Sequence, residues 1–219
     1  MKRLALALTM AVTVACGGGG GGGTTPTQPN PPAPQQNRNP SITSMAITPT
    51  FGIQQLTQFT YQGAASDPDG DSVTYQWDVA GNPASGTSGT ISFLNGGNFS
   101  VRLTVSDGRG GSATDTRTFV VGSMTGRWSG TWSSWVFTSN LTQTANIIRG
   151  DYADQLGAGG LDAAVANTID ANGAVRIRYK QGPFNDFIFT GQMDQTGRRV
   201  TGVVNGSGYT NTPFTMNKQ

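Results

Sequence analysis

Apolar and polar residues alternate with period two through most of the chain, and no segment holds apolar residues at the i, i+3, i+4, i+7 spacing of an amphipathic helix. Between residues 39 and 121 the alternating runs fall at 42–47, 56–63, 73–79, 90–94, 99–106 and 114–121, with Gly, Asp, Asn or Pro at the joins. In 73–79 the pattern puts Val73, Tyr75, Trp77 and Val79 on one face. In 99–105 it aligns Phe99, Val101, Leu103 and Val105 and turns Arg102 and Thr104 outward. Six or seven short strands in about eighty residues predict a sandwich of the immunoglobulin class over 40–122. Trp77 is its natural inter-sheet pin, with Tyr75 beside it.

A fresh pattern starts at Met124. Its runs are 127–132, 135–143, 146–153, 161–169, 174–181, 187–194, 199–205 and 213–217. The connectors Asn172-Gly173, Gly182-Pro183 and Thr196-Gly197 are tight-turn pairs, and Asn-Gly between alternating runs is a hairpin signal. Eight hairpin-linked strands predict a small up-and-down antiparallel barrel over 124–219. Glycines recur inside its strands at 130, 150, 191 and 202, where a closed barrel needs bends or close packing. Trp128 and Trp132 are expected in its core, and an eight-stranded interior is just wide enough to be filled by side chains. The fold class is therefore all-β: a sandwich, then a barrel.

The N-terminus is different. Lys2-Arg3, an apolar run from residue 4 to 14, and small residues before a lone cysteine make a secretory leader over 1–15, too short to span a bilayer. Thr13-Val14-Ala15-Cys16 resembles the lipobox of bacterial lipoproteins. That resemblance implies a lipid-modified Cys16 as the first mature residue and a cell-envelope location on a membrane, the outer membrane first. Several acyl chains on one residue suffice for stable anchoring where a single chain does not. Residues 17–23 are all glycine, and 24–40 reads TTPTQPNPPAPQQNRNP. Over 16–39 this composition cannot bury a core and reads as a tether, flexible first and stiffer afterwards, rising about 3 Å per residue in the proline-rich part.

Composition narrows the chemistry. The 219 residues include no histidine and no glutamate, so all twelve acidic groups are aspartates. Two of the fourteen Lys and Arg lie in the leader, which leaves the remainder near neutral and gives no electrostatic case for nucleic acid. Without His or Glu the usual proton shuttles are missing, Ser-His-Asp catalysis is excluded, and so is a His/Cys zinc site. Catalysis is not expected.

Two resemblances add to this reading. ASDPDGDSVTYQWD, followed by GGNFSVRLTVSDGRGGSATDT, resembles a PKD domain, an immunoglobulin-like and cadherin-like module. Gly126-Arg127-Trp128 resembles the Gly-x-Trp opening of lipocalin- and avidin-like barrels, which implies a small apolar ligand at the barrel mouth. Within the PKD-like segment, Asp67, Asp69 and Asp71 gather three carboxylates in one turn around Gly70, and Asp107 is placed to join from a neighbouring loop. The spacing admits a weak calcium site, in the range of about 10⁻⁴–10⁻³ M typical of extracellular modules. The same residues are ordinary turn formers, the loop lacks the Glu and the length of an EF-hand, and Arg109 is placed to neutralise Asp107, so the turn reading is preferred. The expected work is non-catalytic contact with envelope protein or polysaccharide; the alternative is a small-molecule carrier using the barrel. Oligomeric state is left open.

Overall fold

Every regular element among the described residues, 35–181 and 185–219 of this computed structural model, is a β-strand. The expected leader, Cys16, the tether up to residue 34 and the Gly182-Pro183 turn lie outside the described residues.

The first module has eight strands: β1 (Ser41–Thr48), β2 (Phe51–Ile53), β3 (Gln58–Ser66), β4 (Thr74–Val79), β5 (Asn82–Ser85), β6 (Ser88–Ser92), β7 (Gly97–Ser106) and β8 (Ser112–Gly122). They form two sheets, ordered β1-β3-β6 and β2-β8-β7-β4-β5. The inner faces follow the period-two pattern, burying Phe59, Trp77, Val101, Leu103, Val105 and Phe119. Trp77 packs against Tyr61 at 4.9 Å, and its indole N–H donates to the Gly86 carbonyl at 2.8 Å, so its one polar atom is satisfied. Tyr75 is half-buried, its hydroxyl accepting the Ala65 N–H at 3.0 Å. Two short strands were not expected. β5, NPAS, has little β-propensity and exists because Ala80 and Gly81, at φ 51° and 85°, make a tight hairpin from β4. β2 has only three residues and pairs parallel to β8.

The second module has nine strands: β9 (Gly126–Trp132), β10 (Trp135–Thr144), β11 (Ile147–Asp154), β12 (Gly157–Leu161), β13 (Thr168–Ile169), β14 (Ala174–Gln181), β15 (Asn185–Met193), β16 (Arg199–Gly206) and β17 (Tyr209–Lys218). Neighbours pair antiparallel and β17 returns to β9, with Phe214 opposite Trp132 and Lys218 opposite Trp128, so the sheet closes. β12 and β13 share the place between β11 and β14, giving eight staves.

The fourth stave corrects the expectation of one strand over 161–169. Asp162 accepts the Ala164 N–H at 2.9 Å and starts a turn, which breaks the ladder until Thr168. The buried Asn167 then replaces the missing rung: its amide oxygen accepts the Arg178 N–H of β14 at 2.6 Å and its amide N–H donates to the Asp162 carbonyl at 3.0 Å. Arg178 itself bridges Asp162, at 3.4 Å, and Asp186.

The barrel interior is occupied. Trp128, Trp132, Phe137, Tyr152, Tyr179 and Phe189 are all fully buried, and all but Trp128 meet in ring pairs such as Tyr152–Tyr179 at 4.6 Å and Tyr179–Phe189 at 5.0 Å. Each such pair adds about 0.5–1.5 kcal/mol to the area term. The indole N–H of Trp128 donates to the Met124 carbonyl at 2.9 Å, while that of Trp132 is buried without a hydrogen-bond partner. Burial pushes the Tyr152 and Tyr179 hydroxyls far above the usual phenol range.

Both modules lie within one compact unit, Gln36–Gln219. The junction is apolar inside and amide-bonded at the edge. Ile53 belongs to the sandwich by strand pairing, yet its side chain is fully buried in the barrel cluster with Met124, and Phe51 and Leu56 pack beside it. Gln54 and Gln143, both buried, exchange side-chain-to-backbone bonds at 3.3 and 3.4 Å. The Gln143 amide oxygen also accepts the Met124 N–H at 2.9 Å, and that of Gln54 accepts the Gly96 N–H at 3.0 Å. Buried amides fully used in this way fix the register of the two modules.

Candidate functional site

Asp67 ends β3, and its carboxylate folds the following residues over itself. Oδ1 accepts the N–H groups of Asp69 at 2.8 Å and Asp71 at 3.3 Å, and the Asp67 carbonyl accepts the Gly70 N–H at 3.2 Å. Gly70 sits at φ 79°, the left-handed conformation that closes this turn and that a side chain would strain. Asp67, Asp69 and Asp71 thereby each present one oxygen within 4.8 Å of the others.

Asp107 is not part of that group. It organises its own turn, accepting the N–H groups of Arg109 at 2.7 Å and Gly111 at 2.9 Å on Oδ1. Its other oxygen takes the Asn37 amide at 2.7 Å, and that bond with the turn amides lowers its pKa below the usual carboxylate value. Three donors already hold the Asp107 carboxylate, and the Arg109 guanidinium does not pair with it as its sequence position suggests. Arg109 reaches across to Asp71 instead, at 3.0 Å.

Arg38 completes the cluster. Its backbone N–H and its Nε meet the two oxygens of Asp69 at 2.7 and 2.8 Å, and Nη2 donates to the Pro68 carbonyl at 2.5 Å. These bonds, backbone first, hold the Asp69 carboxyl below its ordinary range. Asn37 and Arg38 thus clamp the Asp67 and Asp107 turns together. The sequence reading placed both in the tether, although one signal pointed to them: Arg38 is the only charged residue between Arg3 and Asp67.

The donor set fits a hard cation in part. Asp67 Oδ2, Asp71 Oδ2 and Asn37 Oδ1 are buried without hydrogen-bond partners, and all are oxygens of the kind calcium takes. Asp69 is satisfied by Arg38, and two guanidinium groups already offset part of the negative charge. The turn is closed by its own hydrogen bonds, and Asp67 and Asp71 each keep one unpartnered oxygen.

The other predicted positions are structural. Trp77, Trp128 and Trp132 are buried in their cores and Tyr75 is partly buried at the edge of its own. Two hollows flank the broken fourth stave: one of about 480 Å³ between 147–150 and 161–167, another of about 580 Å³ between Leu56, Asn146 and the start of β14.

No curated protein matches the chain in sequence. Among solved structures, the PKD1 domain of Vibrio anguillarum Epp is 28% identical, with 39% of this chain and 96% of that chain covered and a TM-score of 0.33. A structure of carbohydrate-binding modules of the β-sandwich superfamily is 13% identical, covering 83% of this chain and 91% of its own, with a TM-score of 0.38. Residues 44–121, the segment that holds the clamped aspartate turns and Trp77, match the family of the PKD domain.

Proposed function

We propose that this protein is a lipid-anchored component of the cell envelope whose PKD-type sandwich and attached barrel make non-catalytic contacts with polysaccharide or protein. The observation that carries the reading is how the two modules use their reactive and aromatic groups. Aromatic side chains fill both cores, and the aspartates that gather in the PKD segment are bonded to turn amides and arginines. Broad surfaces remain, and these suit contact. The match of residues 44–121 to the PKD family supports the same conclusion. The filled barrel weighs against apolar cargo, which needs a cavity of about 300 Å³ or more enclosed by side chains.

Two measurements test this on the full-length chain. Fractionation of cells expressing it should place the protein with membranes, and Cys16→Ser should release it; a variant that stays with membrane refutes the anchor. The released variant should then co-sediment with purified envelope polysaccharide in a saturable manner, or cross-link to a defined envelope protein. Recovery wholly in the supernatant, with no cross-linked partner, refutes the contact role.

A further inference from the structure

At the junction of the two modules lies a cleft of about 150 Å³ whose walls include Gly97, Asn98, Ser123, Thr196, Arg198 and Lys218. Its volume equals that of about five water molecules at ~30 Å³ each, enough for an ionised head group and too small for a whole ligand of drug size. We propose that it binds an oxyanion: the carboxylate, sulfate or phosphate of an acidic ligand.

The case rests on the balance of donors and acceptors. Lys218 is half-buried, its stem beside Trp128 with Nζ 5.9 Å from the ring centre. Nζ donates to the Ser123 carbonyl at 3.1 Å, which uses one of its three donors. Arg198 donates from one nitrogen to the Lys218 carbonyl at 3.4 Å, leaving most of its guanidinium fork unused. Neither cation has a carboxylate within salt-bridge distance among the described residues. The nearest aspartate in sequence, Asp194, is committed to its own turn, accepting the Thr196 hydroxyl at 2.7 Å and the Thr196 and Arg199 N–H groups at 3.2 and 3.3 Å. Burial, then the Arg198 charge, push the Lys218 ammonium below its ordinary pKa, as expected of a cation lacking a counter-ion.

The walls are preformed. Gly197, at φ 67°, brings the β15–β16 turn so close to Gly122 that a Cβ there would lie 2.9 Å from the Gly122 Cα. Gly96 is tied to Gln54 by its N–H, so the sandwich side of the cleft is held by the same amide lock that joins the modules. Two cations and the Asn98 amide line the same cleft, and these are donor types that anion recognition uses. This inference is independent of polysaccharide contact: either can fail while the other stands.

Thermal melts of the full-length Cys16→Ser chain in inorganic phosphate, inorganic sulfate and sodium glucuronate test it, each matched to sodium chloride of equal ionic strength. At tenfold excess over the dissociation constant the favoured anion should raise the midpoint by about 3–6 °C over chloride. The anion with the lowest half-saturation identifies the head group. Arg198→Gln, at an exposed side chain, and Lys218→Met, which keeps the stem over Trp128, should each abolish the rise. A rise equal to that in chloride, no rise with any of the three anions, or a full rise retained in Arg198→Gln overturns the proposal, even if Lys218→Met does not fold.

Discussion

Ile53→Ala tests whether sandwich and barrel fold as one body. Ile53 pairs with Gly122 in the sandwich sheet while its fully buried side chain lies in the barrel cluster. Removing three carbons costs about 2.4 kcal/mol in transfer free energy at ~0.8 kcal/mol per methylene. A partly collapsed cavity brings the total to about 2–5 kcal/mol. Hydrogen exchange reads this locally. Amides of Val101, Leu103 and Val105 in β7 report the sandwich core, and those of Val200 and Val204 in β16 report the barrel. Where exchange proceeds by global opening, each ~1.4 kcal/mol lowers protection tenfold, so a loss of 2 kcal/mol gives about 25-fold. If the Gln54–Gln143 lock and the Ile53 plug join the modules, both sets of amides lose the same factor. Leu156→Ala, at a residue 66% exposed, should change neither set by more than about 0.5 kcal/mol. Loss confined to β16, or less than fivefold in both sets, refutes the coupling.

Gly202→Ala should be severe, because its Cβ would fall on the Thr190 carbonyl and the Gly191 Cα across the β15–β16 pair. A cost of about 3 kcal/mol, or about 6–12 °C in the melting midpoint, is expected, and a shift under 2 °C contradicts it. Asp69, Asp107, Asp151 and Asp186 all have folded-state pKa values below the ordinary carboxylate value. Their stabilisation is therefore present above the unfolded value of about 3.9 and is lost as pH falls through the lowered folded values. Urea midpoints between pH 7 and pH 2 should fall most steeply below pH 4, and Arg38→Ala, which removes the guanidinium bond to Asp69 and keeps the backbone N–H, should flatten that slope in part; an unchanged slope rejects the contribution of the Arg38 side chain. Calcium at 10 mM should raise the melting midpoint relative to chelator if Asp67 Oδ2 and Asp71 Oδ2 serve as ligands, and Asp71→Asn should weaken the rise. Identical midpoints with calcium and chelator remove the site.

The architecture was legible because strand alternation is a local property. Val175, Ile177 and Tyr179 face inward for the same reason that Val101, Leu103 and Val105 do, and period two reports it directly. What escaped were features made by single side chains acting over long sequence separations. Asn167 substitutes for a ladder rung, and no periodicity records an amide that imitates backbone. Ile53 reads as a sandwich residue until the barrel beneath it is in place. Arg109 was given the wrong partner because nearness in sequence says nothing about whether a carboxylate is already held by its own turn. Arg38 was discounted for the composition around it, although a lone charge in a neutral stretch is itself a sign of a specific contact. The cleft at Arg198 and Lys218 had no sequence signature, because its two walls come from different modules.

These features are ordered along β7. The clamp of Asn37 and Arg38 lies at the turns that follow β3 and β7, beside Asp107 at the C-terminal end of β7. The barrel joins at the other end, where Gly97 opens β7 opposite Val121 and the chain leaves toward Gly126. The ten residues of β7 separate the two ends by about 33 Å at ~3.3 Å per residue. The clamp and the junction cleft therefore lie at opposite ends of the sandwich. Because Ile53 and the paired glutamines fix the junction, the cleft and the barrel keep one orientation relative to the clamp.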